Sequence, residues 1–168
     1  KDEYINRKTS LEKLSSLRAA FKKEGTVSAG NSSGINDGAS FTLVVSQDAL
    51  EKYNLKALVE IIDVSQVAID PNFMGLSPAY AIKKLLDKNE MHIKDLDILE
   101  INEAFAAQCL GVLEILKEEY SIDEAFIKEK INVNGSSIAL GHPVGASGNR
   151  IIVTLIHEMI KQELTYGL

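Results

Sequence analysis

The chain of 168 residues predicts an α/β fold around a parallel-rich sheet. Three observations carry this expectation. Short apolar runs of strand length alternate with longer stretches of helical periodicity. The joints between them are rich in glycine, asparagine and serine. Hydrophobic residues make up 45% of the chain and aromatics 6%, which suits a core of Ile, Leu, Val and Ala between sheet and helices.

The elements follow in order. Thr9-Ser10-Leu11-Glu12 has the spacing of a capping box, with Thr9 as the cap. Leu11, Leu14, Leu17 and Phe21 recur at helical spacing and predict an amphipathic helix ending near Gly25. Its polar side holds Arg18, Lys22 and Lys23, either a solvated helix face or a phosphate-steering surface. Residues 25–40, "GTVSAGNSSGINDGAS", form a turn-rich loop. "FTLVVS" at 41–46 reads as a short buried strand, "DALEKYNL" as a short helix, and "ALVEIIDVSQVAI" at 57–69 as a long strand. "DPNFMGLSPAYAIKKLLDK" is a loop and a helix. Ser77 is placed as its N-cap and Pro78 at the first helical position, where the missing N–H costs nothing. "LDILEI" at 96–101 is a strand that runs directly into the helix "NEAFAAQCLGVLEILKEEY". "INVN" at 131–134 is a strand leading through a glycine-rich loop to "SGNRIIVTLIHEMIKQEL". That helix is apolar on most sides in its first half and is expected to be buried there.

Composition excludes several classes. A net charge of −6 argues against nucleic acid as a partner. No apolar run approaches the roughly 20 residues of a membrane span, and no signal peptide opens the chain. Cys109 is the sole cysteine, so neither an internal disulfide nor a zinc cluster is expected, and a reducing cytoplasm is the expected compartment. No metal site is expected.

The chemistry is expected at strand ends, because ligands of open α/β sheets bind beyond the carboxyl ends of the strands. Asn102 directly follows "LDILEI", and His142 follows "INVN" inside "NVNGSSIALGHPVGASG". If the two strands are neighbours, both side chains converge on one crevice. Pro143 biases His142 to an extended backbone, and Gly141 and Gly145 let the loop turn around it. Residues 145–148 begin a helix whose free N–H groups favour developing negative charge. An imidazole, a side-chain amide and a helix N-terminus are the parts of an oxyanion site. The competing readings are a structural turn with an incidental histidine, and Asn102-Glu103 as caps of the next helix. The loop lacks the lysine of a P-loop, and its glycines miss the dinucleotide spacing, which disfavours a nucleotide-phosphate cradle.

The segments "SAGNSSGINDG", "NEAFAAQ" and "NVNGSSIALGHPVGASG" occur in that order, joined by "LEKLSSLRAAFKKEGTV" and "DPNFMGLSPAYAIKKLL". Together they resemble the thiolase family, in particular acetyl-CoA acetyltransferases of the biosynthetic type, over essentially the whole chain. Ketoacyl synthases, the nearest confusion, lack this set. The resemblance implies part of a five-layer α-β-α-β-α fold, mainly its C-terminal α/β half with a sheet lacking its last strands. Residues 1–40 would be a remnant of the loop domain with the CoA-binding loop. Residues 41–70 would supply two strands of the N-terminal half's sheet, and residues 71–168 an incomplete C-terminal domain.

The resemblance also implies a reaction: two acetyl-CoA condense to acetoacetyl-CoA and CoA, reversibly, through an acylated cysteine. CoA thioesters are the substrates and no cofactor is expected. By the same resemblance, His142 activates the nucleophilic cysteine and helps bind the thioester oxygen, and Asn102 holds a water that completes that oxyanion hole. Ser33 contacts the pantetheine arm from loop 28–34, with Ser28 and Ala29 beside it. Leu17 and Phe21 fall where the family lays apolar surface against CoA, and Met74, Ala104 and Phe105 near the acyl end of the tunnel. Family members form dimers and tetramers. Their nucleophilic cysteine lies in the N-terminal half, and the proton-abstracting one follows a "YGL" segment like Tyr166-Gly167-Leu168. Cys109 sits in the "NEAFAAQCL" helix and reads as a small buried hydrophobe. The chain alone is therefore expected to be inactive and to self-associate through exposed edges. The alternatives are a standalone CoA- or acyl-CoA-binding module, a structural fragment, or an enzyme completed by a second chain. His92 and His157 are assigned no role.

Overall fold

The computed structural model describes residues 4–168. At its centre lie three short extended stretches. Leu99 bridges Ile131 and Ile98 bridges Gly167, both in parallel. The Leu99 N–H donates to the Lys130 carbonyl at 2.8 Å and the Asn132 N–H to the Leu99 carbonyl at 2.9 Å. On the other edge, the Leu168 N–H donates to the Ile98 carbonyl at 3.1 Å and the Glu100 N–H to the Leu168 carbonyl at 2.8 Å. The parallel order across this small sheet is thus residue 131, residues 98–101, residues 166–168. Asp97 anchors the last stretch by accepting the Thr165 and Tyr166 N–H groups at 2.8 and 2.9 Å. The bonds from Tyr166 and then Thr165 hold its carboxyl below its ordinary pKa.

The described residues form seven α-helices: α1 Leu11–Ser15, α2 Gln47–Tyr53, α3 Ser77–Lys88, α4 Ala106–Tyr120, α5 Glu124–Lys130, α6 Ser137–Leu140 and α7 Val144–Gln162. Val112, Leu116 and Tyr120 recur at four-residue spacing on α4 and meet Ala79, Ile82 and Leu86 of α3. Leu99 and Ile101 join that cluster from the sheet. Side chains alternate along an extended stretch, so Ile98 and Glu100 face the opposite side. There Glu100 lies within the field of Arg150 and Glu158 of α7. The result is helix, narrow parallel sheet, helix, as the alternating pattern predicts.

Where the structure differs from expectation, a missing neighbour usually explains it. The helix expected to reach Gly25 is only α1, capped by Ser10 rather than Thr9; the Ser10 hydroxyl accepts the Lys13 N–H at 3.3 Å. None of its residues is buried, so no packing offsets the cost of ordering further turns. The chain instead turns back, and Ala19 pairs antiparallel with Ser28.

Residues 41–46 and 57–69 adopt no regular secondary structure and form no strand pairing among the described residues, and Phe41 is 91% exposed. The second stretch lies along α3. The Ser65 hydroxyl donates to the Ala81 carbonyl at 2.7 Å, the Lys84 ammonium to the Gln66 carbonyl at 2.9 Å, and Lys88 pairs with Asp63 at 2.6 Å. Strand ladders need a partner backbone with free N–H and C=O groups, and those of a helix are already paired along its own axis.

The expected strand 131–134 keeps one bridge, at Ile131, because Asn132 turns left-handed at φ 50°. In α7 only Ser147 and Glu158 are buried, and Ile152 is about half exposed, so the apolar first half is not the buried core helix expected. Three short stretches are too narrow a sheet to cover it. Ser77 is the first residue of α3 rather than its cap, continuing a 3-10 turn Pro71–Leu76 that Asp70 caps by accepting the Asn72 N–H at 2.8 Å. The helix expected from Asn102 begins at Ala106, leaving residues 102–105 irregular at the sheet's carboxyl end.

Candidate active site

Loop 28–36 is built around one amide. Asn31 Oδ1 accepts the Ser28 N–H at 2.7 Å and its Nδ2 donates to the Thr26 carbonyl at 2.9 Å. The Ser32 hydroxyl donates to the Ser28 carbonyl at 2.7 Å, and the Gly30 N–H to the Ser28 hydroxyl at 3.4 Å. Ser28 is therefore buried as the loop's support, while Ala29 is exposed at its tip. A Cβ at Gly30 would fall 2.5 Å from methyls of Leu14 and Leu17, so a larger residue there would have to push those side chains aside.

This loop stitches the two motif segments together. The Ser33 N–H donates to the Ala104 carbonyl and the Ala106 N–H to the Asn31 carbonyl, both at 2.9 Å. Ser32 pairs antiparallel with Phe105, and Ile35 pairs parallel with His142. The His142 N–H is shared between the Gly34 carbonyl at 3.1 Å and Asn36 Oδ1 at 3.0 Å. Phe21 meets Phe105 edge to face, with ring centroids 6.0 Å apart. Leu17, Phe21, Ser28, Ala29, Ser33, Ala104 and Phe105 are thus brought together around the loop. Met74 stands on the Pro71–Leu76 turn, which packs on α4, and is 69% exposed.

Asn102 and His142 stand beyond neighbouring stretches of the sheet, since Leu99 and Ile131 pair directly. Asn132 extends that pairing by one residue with its side chain. Its Oδ1 accepts the Ile101 N–H at 2.7 Å and its Nδ2 donates to the Ile101 carbonyl at 2.8 Å and to Glu103 Oε1 at 2.9 Å. The Ser136 hydroxyl donates to the Ile101 carbonyl at 3.2 Å and accepts the Glu103 N–H at 3.1 Å. Asn102 Oδ1 accepts the Ser137 hydroxyl. Asn102 is therefore not a helix cap. That work falls to Gln108, whose Oε1 accepts the Ala104 N–H at 3.2 Å. His142 Nδ1 lies 2.7 Å from the Ser147 hydroxyl oxygen at the start of α7. Gly141 has φ 93°, and a Cβ there would fall 2.7 Å from Asn36 Oδ1, so the turn into His142 requires glycine.

Asn132, Ser136, Ser137 and Ser147 escaped the sequence reading as site residues. Their signal was present: small polar side chains inside a loop that must pack against a strand end have to find partners.

The surroundings are charged unevenly. Glu100 is buried beneath Asn102, and neither of its carboxylate oxygens has a hydrogen-bond partner among the described residues. Burial pushes its pKa up to about 7, opposed by Arg150 and reinforced by Glu103 and Glu158. Arg150 Nη2 reaches the Ser137 hydroxyl at 3.5 Å. Cys109 is buried in α4, and desolvation first, then Glu103, pushes its thiol up to about 11. Since the thiolate is the reactive form, Cys109 is inert near neutral pH. An open depression of about 580 Å³ lined by Ile62, Asn89, Met91, Asp95 and Tyr166 shares no residue with this cluster.

An imidazole and an amide at adjoining strand ends, beside a backbone-rich loop and an apolar edge, suit a substrate with a polar reacting group on a long flexible arm. Residues 55–168 match the family model for the thiolase C-terminal domain and residues 1–48 that for the thiolase N-terminal domain. A probable acetyl-CoA acyltransferase of Staphylococcus aureus is 46% identical over 168 residues, all of this chain and 40% of that protein. The solved acetyl-CoA acetyltransferase of Bacillus anthracis superposes with TM-score 0.86 at 43% identity, covering 99% of this chain and 40% of its own. Human mitochondrial 3-ketoacyl-CoA thiolase, solved in complex with CoA, superposes with TM-score 0.85 at 41% identity, with the same coverage. The chain thus spans about two fifths of the length of these relatives, and by its two matching domains and its conserved course through the fold it belongs to the thiolase family.

Proposed function

We propose that the protein of which these residues form part is an acyltransferase that condenses two acetyl-CoA to acetoacetyl-CoA and CoA, and runs the reverse thiolysis. The observation that carries the reading is that loop 28–36 bonds by its backbone to both Ala104 and His142, joining an apolar edge to the His142 and Asn102 side chains. In this reading a cysteine thiol gives its proton to His142 Nε2 and attacks the thioester carbonyl. The carbon–sulfur bond to CoA breaks, CoA leaves as thiolate, and the acyl group stays on the cysteine. A second cysteine thiol, outside these residues, protonates the departing CoA and then, as thiolate, takes an α-proton from a second acetyl-CoA; the carbanion attacks the acyl carbonyl, the bond to the first cysteine breaks, acetoacetyl-CoA leaves, and the proton on His142 returns to that cysteine. His142 and a water held by Asn102 stabilise the oxygen on which charge develops. Ser33, with Ser28, Ala29, Leu17 and Phe21, flanks the pantetheine arm; Met74, Ala104 and Phe105 lie toward the acyl end. CoA thioesters enter as substrates, with no separate cofactor. The proposed assembly is a homodimer or homotetramer, with residues 41–70 contributing to the N-terminal half.

In the 168 residues alone the one thiol is the buried Cys109, so they are expected to be inactive in isolation. The intact geometry of loop 28–36 favours a second reading for the isolated chain, as a CoA-binding module without chemistry. Thiolysis of acetoacetyl-CoA by the full-length protein tests the first reading. His142→Ala and Asn102→Ala should each lower kcat by about 100-fold or more, and unaltered rates would overturn it. Rates on longer 3-ketoacyl-CoA substrates test the acetyl preference. CoA titration of the isolated chain tests the second reading.

A further inference from the structure

We propose that two buried serines, Ser147 and Ser137, are positioning residues that set opposite hydrogen-bonding polarity on the two active-site side chains. Ser147 makes His142 Nε2 a proton acceptor, and Ser137 makes the Asn102 amide nitrogen a donor. This deepens the functional reading above and rests on it.

The argument is a count of protons. A serine hydroxyl has one proton to give and lone pairs to receive others, so its second partner decides which way it points. Ser147 is 3% exposed, and its hydroxyl donates to the Pro143 carbonyl, an obligate acceptor, at 3.1 Å. Its proton is thereby committed. The 2.7 Å contact with His142 Nδ1 is then satisfied only if Nδ1 carries the hydrogen and donates to Ser147. Neutral imidazole has a single N–H, so Nε2 keeps its lone pair. That is the state needed to take a proton from a thiol.

Ser137 is fully buried and works the other way. Arg150 is an obligate donor, and its Nη2 stands 3.5 Å from the Ser137 hydroxyl oxygen, occupying a lone pair. The Ser137 proton is therefore free for Asn102, whose Oδ1 accepts it. With Oδ1 engaged, the remaining face of the Asn102 amide presents its N–H groups, the polarity needed to hold a water or an oxyanion. Both serines sit on helices: Ser147 lies in the first turn of α7 and Ser137 opens α6.

The test uses the full-length protein. Nitrogen NMR of labelled histidine should show His142 protonated at Nδ1; a neutral His142 protonated at Nε2 overturns the assignment for Ser147, and this measurement needs no variant to fold. Ser147→Ala should move His142 toward the Nε2-protonated form and lower kcat about tenfold or more, with KM for CoA within about twofold, and Ser147→Thr should restore the tautomer. Ser137→Ala should give the same split of kcat from KM with the His142 tautomer unchanged, and Ser137→Thr should recover rate. A kcat equal to that of the parent in either alanine variant overturns the proposal for that serine. His142→Ala and Asn102→Ala are assayed alongside. If they retain activity, the functional reading itself falls; if they lose it while the serine variants do not, only the positioning inference falls.

Discussion

Two regions of the chain have similar apolar patterning and opposite fates. Residues 96–101, "LDILEI", become the central stretch of the sheet, with Leu99 fully buried. Residues 57–69, "ALVEIIDVSQVAI", lie along α3, with Ile62 and Val64 mostly exposed. The difference is not in hydropathy but in what stands alongside. The first stretch has a parallel backbone on both edges and a helix on each face. The second has one helix and three side-chain anchors. A run of apolar residues is a demand for partners, and the demand is met only where backbone and surface are both supplied.

The sharpest way to break the comparison is to truncate the packed region. Leu116→Ala empties space between α3, α4 and the sheet and should cost about 2–5 kcal/mol of unfolding free energy, measured by urea denaturation. A cost below about 1 kcal/mol would mean that α4 is no better packed than the 57–69 stretch.

The packed region also carries its own weak point in Glu100. The folded chain holds a proton on Glu100 up to about pH 7. The unfolded chain releases it near the ordinary value of 4.5, so the folded state binds more protons between these limits. Stability must therefore fall as pH rises through that window. Glu100→Gln should remove the loss, gaining on the order of 2–3 kcal/mol at pH 8 and little near pH 4, by urea unfolding at the two pH values. Equal gains at both would exclude titration as the cause.

Asn132→Ala strips three side-chain hydrogen bonds, two to the Ile101 backbone and one to Glu103. It should cost about 1–3 kcal/mol, because the Ile101 N–H loses its partner while the Ile101 carbonyl keeps only the Ser136 hydroxyl.

The smallest effect belongs to the unpaired region. Ile62→Lys with Val64→Lys should change unfolding free energy by less than about 0.5 kcal/mol per site. The same pair should shift the isolated chain toward monomer in light scattering, because exposed apolar edges promote association. A large loss of stability would show that the 57–69 stretch is packed after all.

Much of the site could be read before any coordinates. His142 and Asn102 stand out because a histidine in a glycine loop and an asparagine at a strand end each follow a predicted strand, and the stretches they follow pair through Leu99 and Ile131. Gly141 was legible as a turn residue for the same reason. Glu103 and Asn102 were ambiguous as helix caps, since capping and site residues share the same chemistry. Gln108, the last residue of "NEAFAAQ", resolved that ambiguity only through its contacts.

What the sequence alone determined is the α/β class, the order of helices α3, α4 and α7, the parallel character of the central sheet and the positions of Asn102 and His142 after its stretches. These follow from period, length and turn chemistry, which are local along the chain. Tertiary structure alone decided which apolar runs found neighbours, that α1 stops after five residues, and that Ser147, Ser137 and Asn132 orient the site. Those outcomes depend on partners 31 to 35 residues away for Asn132 and Ser137. Even for Ser147, five residues from His142, they depend on a helix turn that brings hydroxyl and ring together. Hydrogen-bond direction is settled by the whole set of donors and acceptors meeting at a point, and no window of sequence contains that set.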